Sequence, residues 1–174
     1  MGLVLLTGGV RSGKSRLAVE LARRHRGPVA FVATAEARDE EMAARIARHR
    51  AERPGGWRTV EEPLDVERAL GSLGPDEAAV VDCLTLWVSN LIERELGGDA
   101  IAALARSTAE VANQHPAPVV AVTNEVGWGI VPASPLGRRF SDVLGAVNAT
   151  WAAAAERAYL VVAGRILELG GADG

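Results

Sequence analysis

Lysine is almost missing from this chain. Of 19 basic residues only Lys14 is a lysine, and all the others are arginine. Such a bias is of a kind that genome composition or heat adaptation produces, so the exception carries more information than the rule. Cysteine is as scarce. Cys83 stands alone, which excludes an intrachain disulfide and a thiolate metal cluster. Long apolar runs are absent too: the opening MGLVLLTGG is apolar for only about six residues, too short for a signal core or a membrane span. A cytoplasmic protein without stable membrane insertion is expected. No excess of one charge is present either. With 22 acids against 19 bases the net charge is −3, so no global field favours nucleic acid, and any anionic ligand must be met by a local cluster.

What remains is ordinary globular material. A chain of 174 residues with 48% hydrophobic and 24% charged content suggests one domain over residues 1–174. Short apolar runs at Leu3–Thr7, Val29–Thr34, Ala78–Cys83, Pro118–Asn124 and Ala158–Ala163 read as strands covered on both faces. Helical patterns fall between them, at about 14–25, 38–52, 65–71, 85–96, 99–114 and 135–156. The alternation predicts an open, mostly parallel α/β sheet with right-handed crossovers. Gly164-Arg165 splits the last apolar segment and suggests a C-terminal β-hairpin. In such sheets ligands bind beyond the carboxyl ends of the strands. Four segments leave those ends: residues 8–15, Thr34-Ala35-Glu36, Asp82–Thr85 and Asn124–Gly129.

Lys14 belongs to the first of them. Gly8-Gly9-Val10-Arg11-Ser12-Gly13-Lys14-Ser15 fits GxxxxGK[ST], placed after a strand and before a helix as that motif requires. Its backbone N–H groups would cradle phosphate oxygens, aided by the helix N-terminus. Lys14 would reach the β and γ phosphates and Ser15 would ligate Mg²⁺. A glycine turn matching by accident is the alternative, and the strand–loop–helix context speaks against it. Asp82 ends the apolar run Ala78–Val81, where a carboxylate can hold Mg²⁺ or cap the following helix, and the phosphate loop favours the metal. The Asn-Lys-x-Asp guanine signature is lacking. Thr123-Asn124-Glu125-Val126 holds neither lysine nor aspartate, so a regulatory GTPase is disfavoured.

Three histidines are present. His25 and His115 end predicted helices, where an imidazole near the last carbonyls is an ordinary structural choice. His49 lies inside a helix, on one stripe with Met42, Ile46 and Arg53 and between Arg45 and Arg53. Two flanking arginines favour a neutral, nucleophilic imidazole and could also neutralise a polyphosphate. Helix geometry alone reads His49 as the edge of a core stripe; its neighbours in sequence overturn that.

Taken in order, Thr7–Ser15, Ala33-Thr34-Ala35, DEEMAARIARHRAERP at Asp39–Pro54, Trp57–Glu61, Asp82–Trp87, TNEVGWGIVP at Thr123–Pro132 and GRRFSDVLGAVN at Gly137–Asn148 span nearly the whole chain. Together they resemble the bifunctional adenosylcobinamide kinase/adenosylcobinamide-phosphate guanylyltransferase family of cobalamin biosynthesis. The resemblance implies a P-loop NTPase-like three-layer fold and a two-step enzyme. ATP or GTP would phosphorylate the aminopropanol hydroxyl of adenosylcobinamide. GTP would then transfer GMP to that phosphate through a GMP–histidine intermediate at His49, giving adenosylcobinamide-GDP and pyrophosphate. It further implies nucleotide contacts at Gly8–Ser15, Thr34, Ala35, Glu36, Arg50, Ala51, Glu52, Arg53, Glu61 and Asp82, Mg²⁺ at Ser15 and Asp82, and a homotrimer. Candidate corrinoid contacts at Asn124–Gly129 and Arg138–Asp142 rest on their predicted edge position. Trp128 could stack on a base or on the corrinoid, but is expected rather to be packed, as tryptophans mostly are. Two rivals remain: a single-step phosphate-loop kinase and a nucleotide-binding regulatory module.

Overall fold

The computed structural model describes residues 2–51 and 53–171, with the backbone alone at position 45. Seven strands form one sheet: β1 (Leu3–Thr7), β2 (Val29–Ala33), β3 (Arg58–Glu61), β4 (Ala78–Asp82), β5 (Val119–Val122), β6 (Arg157–Val162) and β7 (Arg165–Leu169), in the order β3-β2-β4-β5-β1-β6-β7. Every neighbouring pair is parallel except β6 and β7. The antiparallel pair is the expected C-terminal hairpin, with Val162 opposite Arg165. The helices are α1 (Lys14–Ala22), α2 (Glu40–Ala51), α3 (Val66–Gly71), α4 (Leu84–Glu93), α5 (Gly98–Gln114) and α6 (Pro135–Ala154).

The period-2 alternation of a strand divides the core between two faces. In β1, Leu3 and Leu5 turn toward the helices α3 to α6, meeting Leu70, Trp87, Ile101, Leu144 and Trp151. Val4 and Leu6 point the other way, into a second cluster with Ala18 and Ala22 of α1 and with Phe31, Val80 and Val120. The result is three layers with the sheet in the middle. Each fully buried Leu or Val contributes about 1.5–3 kcal/mol by removal from water. Small residues on α5 (Ala105, Ala109, Ala112) are fully covered and let that helix lie close.

One strand lies outside the expected set. Arg58–Glu61 has charged residues at both ends and only Val60 apolar between them, is at most half-buried, and pairs on one side alone, as the outermost strand next to β2. Its register places Glu61 beside Ala33 at the carboxyl edge. Helix starts follow capping rules: Asp65 accepts from the Arg68 amide at α3, and Ser134 accepts from Gly137 at α6, with proline opening that helix. His25 and His115 do not bind their own helices' last carbonyls. Their Nε2 atoms lie 2.7 and 2.8 Å from the carbonyl oxygens of Asp76 and Glu77, fastening two helix ends to the loop before β4.

Candidate active site

The phosphate loop connects β1 to α1. Gly8 and Gly13 take φ of +146° and +103°, a region open to glycine and costly for other residues. At Gly8 a side chain is excluded twice over, since an added Cβ would stand 2.2 Å from the Val161 carbonyl oxygen of β6. The turn of the hairpin braces the loop from outside, the Gly164 amide donating to the Ser12 carbonyl at 2.9 Å. No acidic residue occupies the first turn of α1, so its positive end is uncompensated and suited to an anion. Lys14 is buried within the loop. Its Nζ donates to the carbonyls of Gly8 at 2.9 Å and Gly9 at 2.7 Å and lies 3.4 Å from Ser12 Oγ. Burial lowers its pKa, against the opposing attraction of Cys83, Asp82 and Glu125.

A cavity of about 420 Å³ opens over this loop. Its floor is the phosphate loop from Val10 to Ser15, its back wall Asp82, Thr85 and Asn124, and its roof Met42, Ile46, His49 and Arg53. The helical stripe expected from the sequence therefore faces the phosphate loop, and all four strand-end segments contribute to the lining of one space. A second cavity of about 470 Å³ lies beside it, bounded by Arg16, Val19, Glu20 and Arg23. Ser15, His49, Arg53, Phe31 and Asp82 border both, so the imidazole stands where the two meet.

Arg53 is held firmly. Its guanidinium carbon stacks 3.5 Å from the centroid of Phe31, and Nη1 donates to Thr59 Oγ1 at 3.1 Å. Its Nε is buried without a partner among the described residues. Burial lowers its pKa, partly offset by Asp82. A positive group with a spare donor, fixed on an aromatic face, is equipped to receive a phosphate oxygen. Asp82 is half-buried at the cavity wall, and the residue capping α4 is Cys83, which makes no side-chain cap bond. Burial pushes the Cys83 thiol up to about 12, leaving it inert.

Other expected residues sit elsewhere. Thr34 is fully buried as a rung between strand ends: its Oγ1 donates to the Cys83 carbonyl at 2.7 Å and accepts from the Cys83 amide at 2.8 Å. Ala35 lines the first cavity. Glu36 lies in an ion cluster with Arg38 and Arg94, and the Arg38 hydrogen bond holds its carboxyl below the usual range. Arg50 faces Glu61 across 3.5 Å, both exposed, and Ala51 ends α2. Glu52 and the side chain of Arg45 fall outside the described residues. Trp128 is a correction: it is not packed but 71% exposed, because residues 127–131 leave the body of the protein. Thr85 was missed by sequence reasoning. Its Oγ1 accepts the Asn124 amide at 2.8 Å and ties two site loops together, a role signalled only by its place after a strand-end aspartate.

A mostly parallel sheet with a phosphate loop after an interior strand and a basic, histidine-bearing helix above it defines a P-loop nucleotide-binding protein. A solved structure from Pyrococcus horikoshii shares this fold at 9% identity, with a TM-score of 0.57 over 96% of this chain and 85% of that one. The family model described as cobinamide kinase/cobinamide phosphate guanyltransferase matches residues 4–169, and the chain belongs to that family. It is 42% identical over 172 residues to the bifunctional adenosylcobalamin biosynthesis protein CobP of Pseudomonas aeruginosa, covering 96% of each chain. It is 43% identical over 176 residues to the bifunctional adenosylcobalamin biosynthesis protein CobU of Escherichia coli K12, covering 93% of this chain and 96% of that one.

Proposed function

We propose that this chain, working as one phosphate-loop domain, phosphorylates adenosylcobinamide with ATP or GTP and then transfers GMP from GTP to the resulting phosphate. The observation that carries the second step is His49 lining the same cavity as Lys14, Ser15 and Asp82. A small-molecule kinase needs the phosphate loop but has no use for an imidazole above it.

In the first step the loop amides and Lys14 hold the β and γ phosphates while the substrate hydroxyl oxygen attacks the γ phosphorus. The bond to the β–γ bridging oxygen breaks, the nucleoside diphosphate leaves with its electron pair, and the hydroxyl proton passes to solvent. Reaching those oxygens, the Lys14 ammonium exchanges its contacts with Gly8 and Gly9 for the phosphate. In the second step an imidazole nitrogen of His49 attacks the α phosphorus of GTP. A P–N bond forms, the bond to the bridging oxygen breaks, and pyrophosphate leaves with its electron pair. The acceptor's phosphate oxygen then attacks the same phosphorus, the P–N bond breaks, and the imidazole is regenerated. In-line displacement places the leaving group opposite the nucleophile. Pyrophosphate therefore departs on the side facing the phosphate loop, and the acceptor must enter from that side. Both reactions then use one loop, and Arg53 is placed to balance charge on the transferred phosphate.

The donor set also suits Mg²⁺. Among the described residues no three His, Cys, Asp or Glu side chains gather to hold a metal. Ser15 and Asp82 supply a hydroxyl and one carboxylate on the same cavity, and Mg²⁺ commonly takes one or two protein oxygens with phosphates and water completing its shell. When bound it would neutralise charge between the phosphates. Among the described residues no helix is long and apolar enough to cross a membrane; a cytoplasmic homotrimer completes the reading.

The test uses GTP labelled at the α phosphate. An acid-labile, base-stable label on the parent protein, absent from His49→Ala, is expected. A parent that takes up no label would refute the histidine route and leave a single-step kinase.

A further inference from the structure

We infer that the loop after β5 is the docking surface for the corrin macrocycle of the acceptor, with Trp128 and Ile130 as its main contacts. The inference rests on the function proposed above and adds to it the place where the bulk of the substrate sits. The reacting hydroxyl lies at the end of a short arm on a macrocycle far larger than the 420 Å³ cavity. The arm can enter; the ring must stay at the mouth. Whatever holds the ring must be continuous with the cavity wall, and the chain leaves that wall at Asn124.

The next residue is anchored to the phosphate loop itself. The Glu125 amide donates to the Gly8 carbonyl at 3.2 Å, and its carboxylate accepts from Thr7 Oγ1 at 2.6 Å and Asn148 Nδ2 at 3.3 Å. Beyond it the chain departs. Added Cβ atoms at Gly127 and Gly129 would meet nothing within 4 Å, while Trp128 is 71%, Ile130 98% and Val131 73% exposed. The chain is fastened again where Arg138 Nη1 donates to the carbonyls of Pro132 and Ala133 at 2.9 and 2.7 Å. Between Glu125 and Arg138 the stretch VGWGIVPASPLG carries no charge, in a chain of which 24% is charged. A neutral apolar arm beside a polyphosphate site suits the faces and periphery of a large ring whose carboxyl groups are amidated and therefore carry no anionic charge. It does not suit a nucleic acid or an anionic lipid surface, which would demand basic residues.

Trp128→Ala and Ile130→Ser remove the contacts without touching the core, so both variants should melt with the parent. The Michaelis constant for adenosylcobinamide in the kinase step should rise about tenfold or more in Trp128→Ala, as loss of an aromatic stacking partner would give. That for GTP should stay unchanged, and 1-aminopropan-2-ol, the arm without the ring, should be used equally by parent and variant. An unchanged constant for adenosylcobinamide would overturn the inference while leaving the enzyme reading intact. A parent that phosphorylates nothing would instead defeat the function on which it rests. A change of mass in sedimentation velocity would assign the loop to contact between copies of the chain and overturn it equally.

Discussion

Replacing Lys14 by methionine should separate catalysis from folding. The side chain is 6% exposed, and its ammonium makes two good hydrogen bonds, to Gly8 and Gly9. Losing two such bonds costs about 3–6 kcal/mol when the donor is charged. Against this stands the desolvation of a buried ammonium, several kcal/mol in an interior and less in an open cleft. The lowered pKa shows that desolvation outweighs the attraction of Cys83, Asp82 and Glu125. The opposing effects leave Lys14→Met within about 1 kcal/mol of the parent, or ~2–4 °C in melting temperature for a domain of this size. Turnover should fall on the order of 10²–10³, the cost of removing one preorganised donor from a developing charge. The pH dependence has a definite sign. A lysine whose folded pKa lies below 10.5 gives an unfolded state that holds the proton longer, so stability rises as pH climbs through the folded value toward 10.5. The parent should therefore gain on Lys14→Met over that alkaline window. Lys14→Arg should fail in both respects, since a planar guanidinium overfills the ring of carbonyls at about 1–3 kcal/mol. Chemical denaturation from pH 7 to 10.5 and chromatographic assay of the phosphorylated corrinoid provide the readouts. Recovery of more than about a tenth of the turnover by arginine, or a Lys14→Met protein destabilised by several kcal/mol, would refute the reasoning.

Two further outcomes follow from buried and half-buried polar groups. Trp87 donates Nε1 to the Leu64 carbonyl at 2.7 Å, whereas Trp151 Nε1 is buried with no partner among the described residues; Trp87→Phe should cost about 1–2 kcal/mol more than Trp151→Phe in urea unfolding, and equal costs would contradict the assignment. Glu77 receives a two-pronged hydrogen bond from Arg58 at 3.1 and 2.9 Å, which holds its carboxyl below 4.5, so its contribution is present above that value and lost as pH falls through the lowered one; Glu77→Gln should be less stable than the parent at pH 7, by at most about 1 kcal/mol for so exposed a partner, and equal to it near pH 2.

The sheet was legible where strands are continuous in apolar residues. The runs at Leu3, Val29, Ala78 and Val119 are buried on both faces, so composition alone marks them. Arg58–Glu61 escaped because an edge strand meets solvent and needs no such run. The helix stripe of Met42, Ile46, His49 and Arg53 was legible because helical period is fixed, and it does line the cavity. Thr34, by contrast, has the same place in a motif whether its hydroxyl meets a ligand or braces two strands, and only the fold reveals the rung to Cys83. The stacking of Arg53 on Phe31 joins residues from α2's exit and β2, a long-range contact with no local signature. Trp128 misled because burial statistics describe residue types, while a neutral loop anchored at both ends can hold a tryptophan in solvent.

The brace between the hairpin and the phosphate loop also makes the shape of the motif a long-range property of the chain. The loop motif and the hairpin are separated by about 150 residues of sequence, yet β1 pairs directly with β6, the Val161 carbonyl oxygen lies against Gly8, and the Gly164 amide donates to the Ser12 carbonyl. A chain cut before β6 would carry the whole motif without the contacts that brace it, so the eight motif residues by themselves do not define the loop.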